Sequence, residues 1–170
     1  MIGIPSILMV ACLGMFGVAA VHDVASRNIP NVVPLVLLAA GVALRLWAGD
    51  LLGSIVAGGG VFVAGTICWL MGWLGGGDVK LLGAGAVAVP PWLVPGFLLW
   101  VGLAGGVLAL IYLAGRRCVP EPALVGGRGL SLPRRVWRVE CWRIRRGGPL
   151  PYAVAIAAAG MLALVQGASS

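Results

Sequence analysis

Charge is absent from most of this chain. No Asp, Glu, Lys or Arg occurs between Met1 and His22, Asn28 and Leu44, Leu51 and Gly77, or Leu81 and Gly115. A helix needs about 20 mostly apolar residues to cross a hydrocarbon core, and these runs supply such helices one after another. Composition agrees: 61% of the residues are hydrophobic and 10% are charged, against about a quarter charged in a soluble domain. The expected fold class is therefore all-α and polytopic, a single membrane-embedded domain over residues 1–170.

The runs divide into six spans: about Ile4 to Val21, Val32 to Trp47, Leu51 to Leu74, Val79 to Val89, Gly96 to Ala114 and Tyr152 to Gln166. The first lacks the basic start of a signal peptide and is longer than a typical apolar signal region, so a retained span is expected. The charge-free stretch from Leu81 to Gly115 would be roughly 50 Å long as one helix, well beyond a ~30 Å core. Pro90, Pro91 and Pro95 split it, since proline is not accommodated freely inside a helix. The third span carries Gly58, Gly59, Gly60 and Gly65, small residues that let helix backbones approach closely. Arg45 falls near the end of the second span, where a long side chain can snorkel to the interface.

Charge placement orients the spans. With six crossings, Arg27, Lys80 and nine arginines between Arg116 and Arg146 share one side, and of the twelve basic residues only Arg45 lies on the other. The positive-inside rule makes the crowded side cytoplasmic and puts both termini on the non-cytoplasmic side. The net charge of +7 is thus a topology signal and does not call for nucleic acid. The Arg-rich loop, about 115–148, contains RRVWRVECWRIRR. It reads first as that topology signal and second as a segment resting on anionic lipid or docking a partner. The four cysteines include no C-x-x-C pair, and His22 is the single histidine. Zinc needs clustered ligands, so neither a metal nor another cofactor is expected. Cys12 and Cys68, within apolar runs, read as core residues.

Of five acidic residues, Glu121 and Glu140 sit among the arginines as counter-charges, and Asp50 occupies a short outer turn where it is expected to be solvated. Asp23 and Asp78 each fall at the cytoplasmic end of an apolar span. Ionisable groups at membrane depth are costly and are functional candidates by default. Asp78 follows Gly75-Gly76-Gly77, which lets the backbone bend and come close to a substrate chain; the plainer alternative is that Asp78 caps the fourth helix. A negative charge at a helix C-terminus, as at Asp23, opposes the macrodipole and is less easily explained as structural. Two adjacent carboxylates can divide acid and base roles, one keeping a proton while the other activates water.

Gly75 to Asp78 fits the G-x-G-D motif of intramembrane aspartyl proteases. The longer string GGGDVKLLGAGAV, the D-x4-N-I-P-N run from Asp23 to Asn31, and PLPYAVAIAAAG together resemble the type IV prepilin peptidase family. The chain is most similar to its short form, the TadV/CpaA group that serves Flp (tight-adherence) pili. The resemblance implies a membrane aspartyl endopeptidase that removes the short leader of prepilins at the cytoplasmic face of the bacterial inner membrane. It implies Asp23 and Asp78 as the catalytic pair, with Gly75, Gly77 and Lys80 as the supporting loop. It also implies prepilins or pseudopilins as substrates, membrane lipid and pilus-assembly proteins as contacts, and no nucleic acid. The chain lacks the extended N-terminal region and paired cysteines of the larger bifunctional members, so N-methylation is not expected. Helix polarity, together with Lys80, predicts Asp78 as the ionised base and Asp23 as the protonated acid. A different class of reading makes the chain a small transporter or channel subunit, with Asp23 and Asp78 as ion or proton ligands.

Overall fold

A computed structural model describes residues 3–118 and 150–169; the start of the stretch expected as an Arg-rich loop, Gly115 to Cys118, belongs to a helix, and the rest, with Glu121, Glu140 and Cys141, lies outside the described residues. The described residues form six α-helices and no strand: α1 (Ile4–Ser26), α2 (Val32–Ala48), α3 (Leu51–Leu70), α4 (Gly76–Ala88), α5 (Val94–Cys118) and α6 (Tyr152–Ser169). A short 3₁₀ turn, Pro91–Leu93, joins α4 to α5. Each apolar run has become a helix. The prolines break the chain where expected, although Pro95 sits inside the first turn of α5, where its missing N–H costs nothing. Four helices or helical stretches, Ile4–Ser26, Leu51–Leu70, Pro91–Gly115 and Tyr152–Ser169, are long and apolar enough to cross a membrane.

The short α4 is the centre of the bundle. Beyond Lys80 it is apolar all round, with Val79 and every residue from Leu81 to Ala88 buried, as such a helix must be. It packs against α2, α3 and α6; α1 packs on α2 and α6, and α5 packs on α6. Phe16, Leu37, Leu81, Phe97 and Ile156 are the large side chains fully enclosed there. On the outside, Ile7, Val10, Leu52, Val63, Leu103 and Leu110 are exposed, an apolar surface that suits a lipid solvent.

Close approach to α4 depends on glycine. A Cβ on Gly41 would stand 2.8 Å from the Ala88 Cα, and backbone cannot yield as a flexible side chain can. Gly58 likewise lies against Val87, and Gly65 against Val79. Gly59 and Gly60 face open space, so only part of the glycine run serves packing within this chain. Gly41→Ala is expected to push α2 off α4 and destabilise the bundle by about 1–3 kcal/mol. A lower thermal midpoint in detergent checks this; an unchanged midpoint would show that the α2–α4 contact is dispensable.

Arg45 lies in the last turn of α2. It is buried, and its Nη1 pairs with Asp50 Oδ2 at 3.3 Å across the turn between α2 and α3. The pairing also withdraws Asp50 from the solvated role expected of it. An inward turn toward an opposite charge avoids the cost of a lone cation against lipid. Cys12 is fully buried, as expected of a core residue, while Cys68 is partly exposed.

Candidate active site

The link from Arg27 to Asn31 ties the end of α1 to the start of α4. Ile29 is buried against Gly77, whose Cβ, if present, would lie 3.4 Å from the Ile29 Cβ. Asn31 opens α2 but makes no side-chain cap; its Oδ1 instead accepts a hydrogen bond from Lys80 Nζ at 2.9 Å. The two contacts hold the C-terminus of α1 beside the N-terminus of α4. They also settle where Lys80 points: its amine is spent on Asn31, two residues around the helix from Asp78.

Asp23 lies within the last turn of α1, because the helix continues to Ser26 rather than stopping at Val21. Its side chain is buried, and Oδ2 accepts a hydrogen bond from the backbone N–H of Ala153 at 3.0 Å. Ala153 is in the first turn of α6, where N–H groups have no partner inside their own helix. Asp23 thus sits at the C-terminus of one helix and receives the N-terminus of another.

Asp78 lies in the first turn of α4, three residues after the N-cap Gly75. Its carboxylate turns back to accept a backbone hydrogen bond from Gly75, the return half of a capping box. The capping reading of Asp78 is therefore correct as far as it goes, and it does not exhaust the residue. The charges of Asp23 and of Arg27 both act on Asp78, so the two carboxylates share one electrostatic environment. Each accepts a hydrogen bond from a helix N-terminus. The expectation of Asp78 as the ionised member counted only α1 at Asp23; α6 adds an N-terminal N–H there, and Lys80 bonds Asn31.

Gly75 and Gly77 differ. A Cβ on Gly75 would fall 2.9 Å from Asp78 Oδ2, so glycine is what lets the carboxylate fold back there. At Gly77 a Cβ would meet only ordinary contact with Ile29.

Sequence reasoning missed three neighbours of the pair. Tyr152 opens α6, packs its ring on Gly105 of α5, and lies within electrostatic reach of Asp78. Ala153 supplies the N–H at Asp23. Tyr112 of α5 accepts a hydrogen bond from Arg27 Nη2 at 2.9 Å. The Pro151-Tyr152 step is a helix-start signal that could have pointed to the first two; nothing local marks Tyr112.

Fold and site together define a multi-pass helical membrane protein that buries a carboxylate at the end of α1 and brings a second, at the start of α4, into its field. The sequence profile of the Type IV leader peptidase family matches residues 9–110. The match takes in more than half of the chain and both aspartates, and the chain belongs to that family. Membership carries a leader-peptidase activity, with prepilins as the substrate class. No curated protein and no solved structure matches the chain.

Proposed function

We propose that this chain is an aspartyl endopeptidase that removes the short leader of Flp-type prepilins at the cytoplasmic face of the bacterial inner membrane. Asp23 and Asp78 are its catalytic pair. The observation that carries the proposal is the buried Asp23 carboxylate, fixed by Ala153 N–H, acting on an Asp78 fixed by Gly75. Family membership favours hydrolysis over ion transport for such a pair.

One carboxylate of the pair is protonated and the other ionised. The ionised group takes a proton from water as the water oxygen attacks the scissile carbonyl carbon. The protonated group gives its proton to the carbonyl oxygen. The tetrahedral intermediate then collapses: the group that took the water proton passes it to the departing amine nitrogen, and a hydroxyl of the intermediate returns its proton to the other carboxylate, restoring the pair. Gly75 gives Asp78 room to hold its geometry, Gly77 seats α4 against Ile29, and Lys80 strengthens the strap to Asn31.

The reading includes six crossings with both termini outside. At 1.5 Å per residue α2 spans about 25 Å and α4 about 20 Å. Short helices suffice here because α4 is enclosed by its neighbours rather than by lipid. The Arg-rich loop then lies on the cytoplasmic face, with the lipid headgroups and the pilus-assembly proteins.

Co-expression with an Flp-type prepilin tests the function. The expected result is a pilin shortened at the leader junction, with cleavage by purified protein unchanged by a chelator. A full-length pilin beside a well-inserted protein would contradict the proposal.

A further inference from the structure

Arg27 is the single non-glycine residue with positive φ among the described residues, at φ 54° and ψ 25°. A left-handed conformation costs an ordinary residue roughly 1–2 kcal/mol, and such strain persists only where surroundings over-determine it. Three constraints do so here. The Arg27 backbone N–H closes onto the Asp23 carbonyl at 2.9 Å. The chain just beyond is pinned by Ile29 and Asn31 to α4. The guanidinium is held from α5, with Nη2 2.9 Å from the Tyr112 hydroxyl and the Arg27 Cζ 6.0 Å from the ring centroid.

Arg27 caps α1 one turn beyond Asp23, tied to it by the backbone bond to the Asp23 carbonyl. Tyr112 follows Gly105 by seven, which places both on one face of α5. Gly105 receives the Tyr152 ring from the start of α6, the same turn whose Ala153 N–H holds Asp23. One face of α5 therefore backs both supports of the carboxyl pair: α6 through Gly105, and Arg27 through Tyr112.

We infer that Tyr112 is a positioning residue of the peptidase, holding the Arg27 guanidinium where its charge balances the negative charge of Asp23 and Asp78. This inference rests on the proposed function, and Tyr112 lies outside the matched residues 9–110. An exposed arginine has many rotamers, and each one that swings toward water weakens the field at the pair. The Tyr112 hydroxyl selects the inward one. Among the described residues, other titratable or charged groups on the elements that meet there include His22, next to Asp23 on α1, Lys80 of α4, engaged by Asn31, Cys68 of α3 and Tyr152 of α6. Arg27 is the cation whose charge acts on Asp78.

The test uses the full chain in lipid nanodiscs. Infrared titration of the carboxyl C=O stretch reads the pair directly, with the band assigned by its loss in Asp23→Asn and Asp78→Asn. Tyr112→Phe keeps the ring and removes the acceptor. It should move the midpoint upward by a few tenths to about one pH unit, because a displaced cation favours the ionised pair less. Arg27→Gln should give at least as large a shift, Arg27→Lys a smaller one, and Tyr112→Phe should add nothing in the Arg27→Gln background. Cleavage of a prepilin peptide should lose its acid limb in the same direction, with kcat reduced several-fold and KM little changed. An unmoved midpoint in Tyr112→Phe, or a shift that persists without Arg27, overturns the inference. The infrared readout does not need turnover, so a wild-type chain that titrates as expected yet cleaves no prepilin would count against the proposed function alone.

Discussion

Asp23→Asn and Asp78→Asn are each expected to lower prepilin cleavage by roughly 10²–10⁴-fold, the range lost with a general acid or base, while the protein still inserts and folds. Asparagine matches aspartate in shape and keeps a carbonyl oxygen. It can still accept the Ala153 N–H at position 23 or the Gly75 N–H at position 78, so the bundle keeps its local bonds. It can neither take a proton from water nor deliver one. Loss of cleavage with normal membrane insertion and an unchanged thermal midpoint is the predicted pattern. Loss of insertion would instead assign the aspartates to the fold.

The second large effect belongs to Gly75. An alanine there would set its Cβ 2.9 Å from Asp78 Oδ2, and the atom obliged to move is the carboxylate itself. Losing a hydrogen bond to a charged group costs about 1.5–3 kcal/mol, and each 1.36 kcal/mol of barrier is about tenfold in rate. Gly75→Ala should therefore lower kcat by roughly ten- to a hundredfold. Gly77→Ala, whose Cβ would meet Ile29 at ordinary contact distance, should stay within a few-fold of wild type. Measuring both variants side by side separates the roles of the two glycines. Equal losses would show that the loop acts through flexibility and not through the space Gly75 leaves for Asp78.

The helices were legible because charge-free runs and prolines are local signals, and each run became a helix. Asp23 and Asp78 stood out for a similar reason: acidic residues are scarce, and these two interrupt apolar sequence at span ends. What the pattern could not convey was lateral position. Hydropathy locates a residue along the membrane normal and is silent on which helix lies beside it. The helix most enclosed, α4, is apolar on every face from Leu81 onward and offers no periodicity to read there. So the Ala153 N–H, 130 residues from Asp23 in sequence, and the Tyr112 hydroxyl, 85 residues from Arg27, had no local mark. The Arg45–Asp50 pair was hidden for the same reason: the two are near in sequence, but only the α2–α3 turn shows that their side chains meet.

The assignment of acid and base roles is subject to the same limit. Helix polarity read along the chain counts each aspartate's own helix and no other. At Asp23 a second helix end comes from α6, which arrives from the far end of the sequence. With a helix N-terminus at each carboxylate, the negative charge is best described as belonging to the pair.

The central claim is that Asp23 and Asp78 work as one unit, and the double variant Asp23→Asn/Asp78→Asn tests it most directly. Residues that act together are strongly non-additive when removed. With purified protein, a prepilin peptide and cleavage followed by mass spectrometry, the double variant should retain the same residual kcat/KM as the slower single variant. A loss equal to the product of the two single losses would mean that the aspartates contribute independently, and would contradict the account.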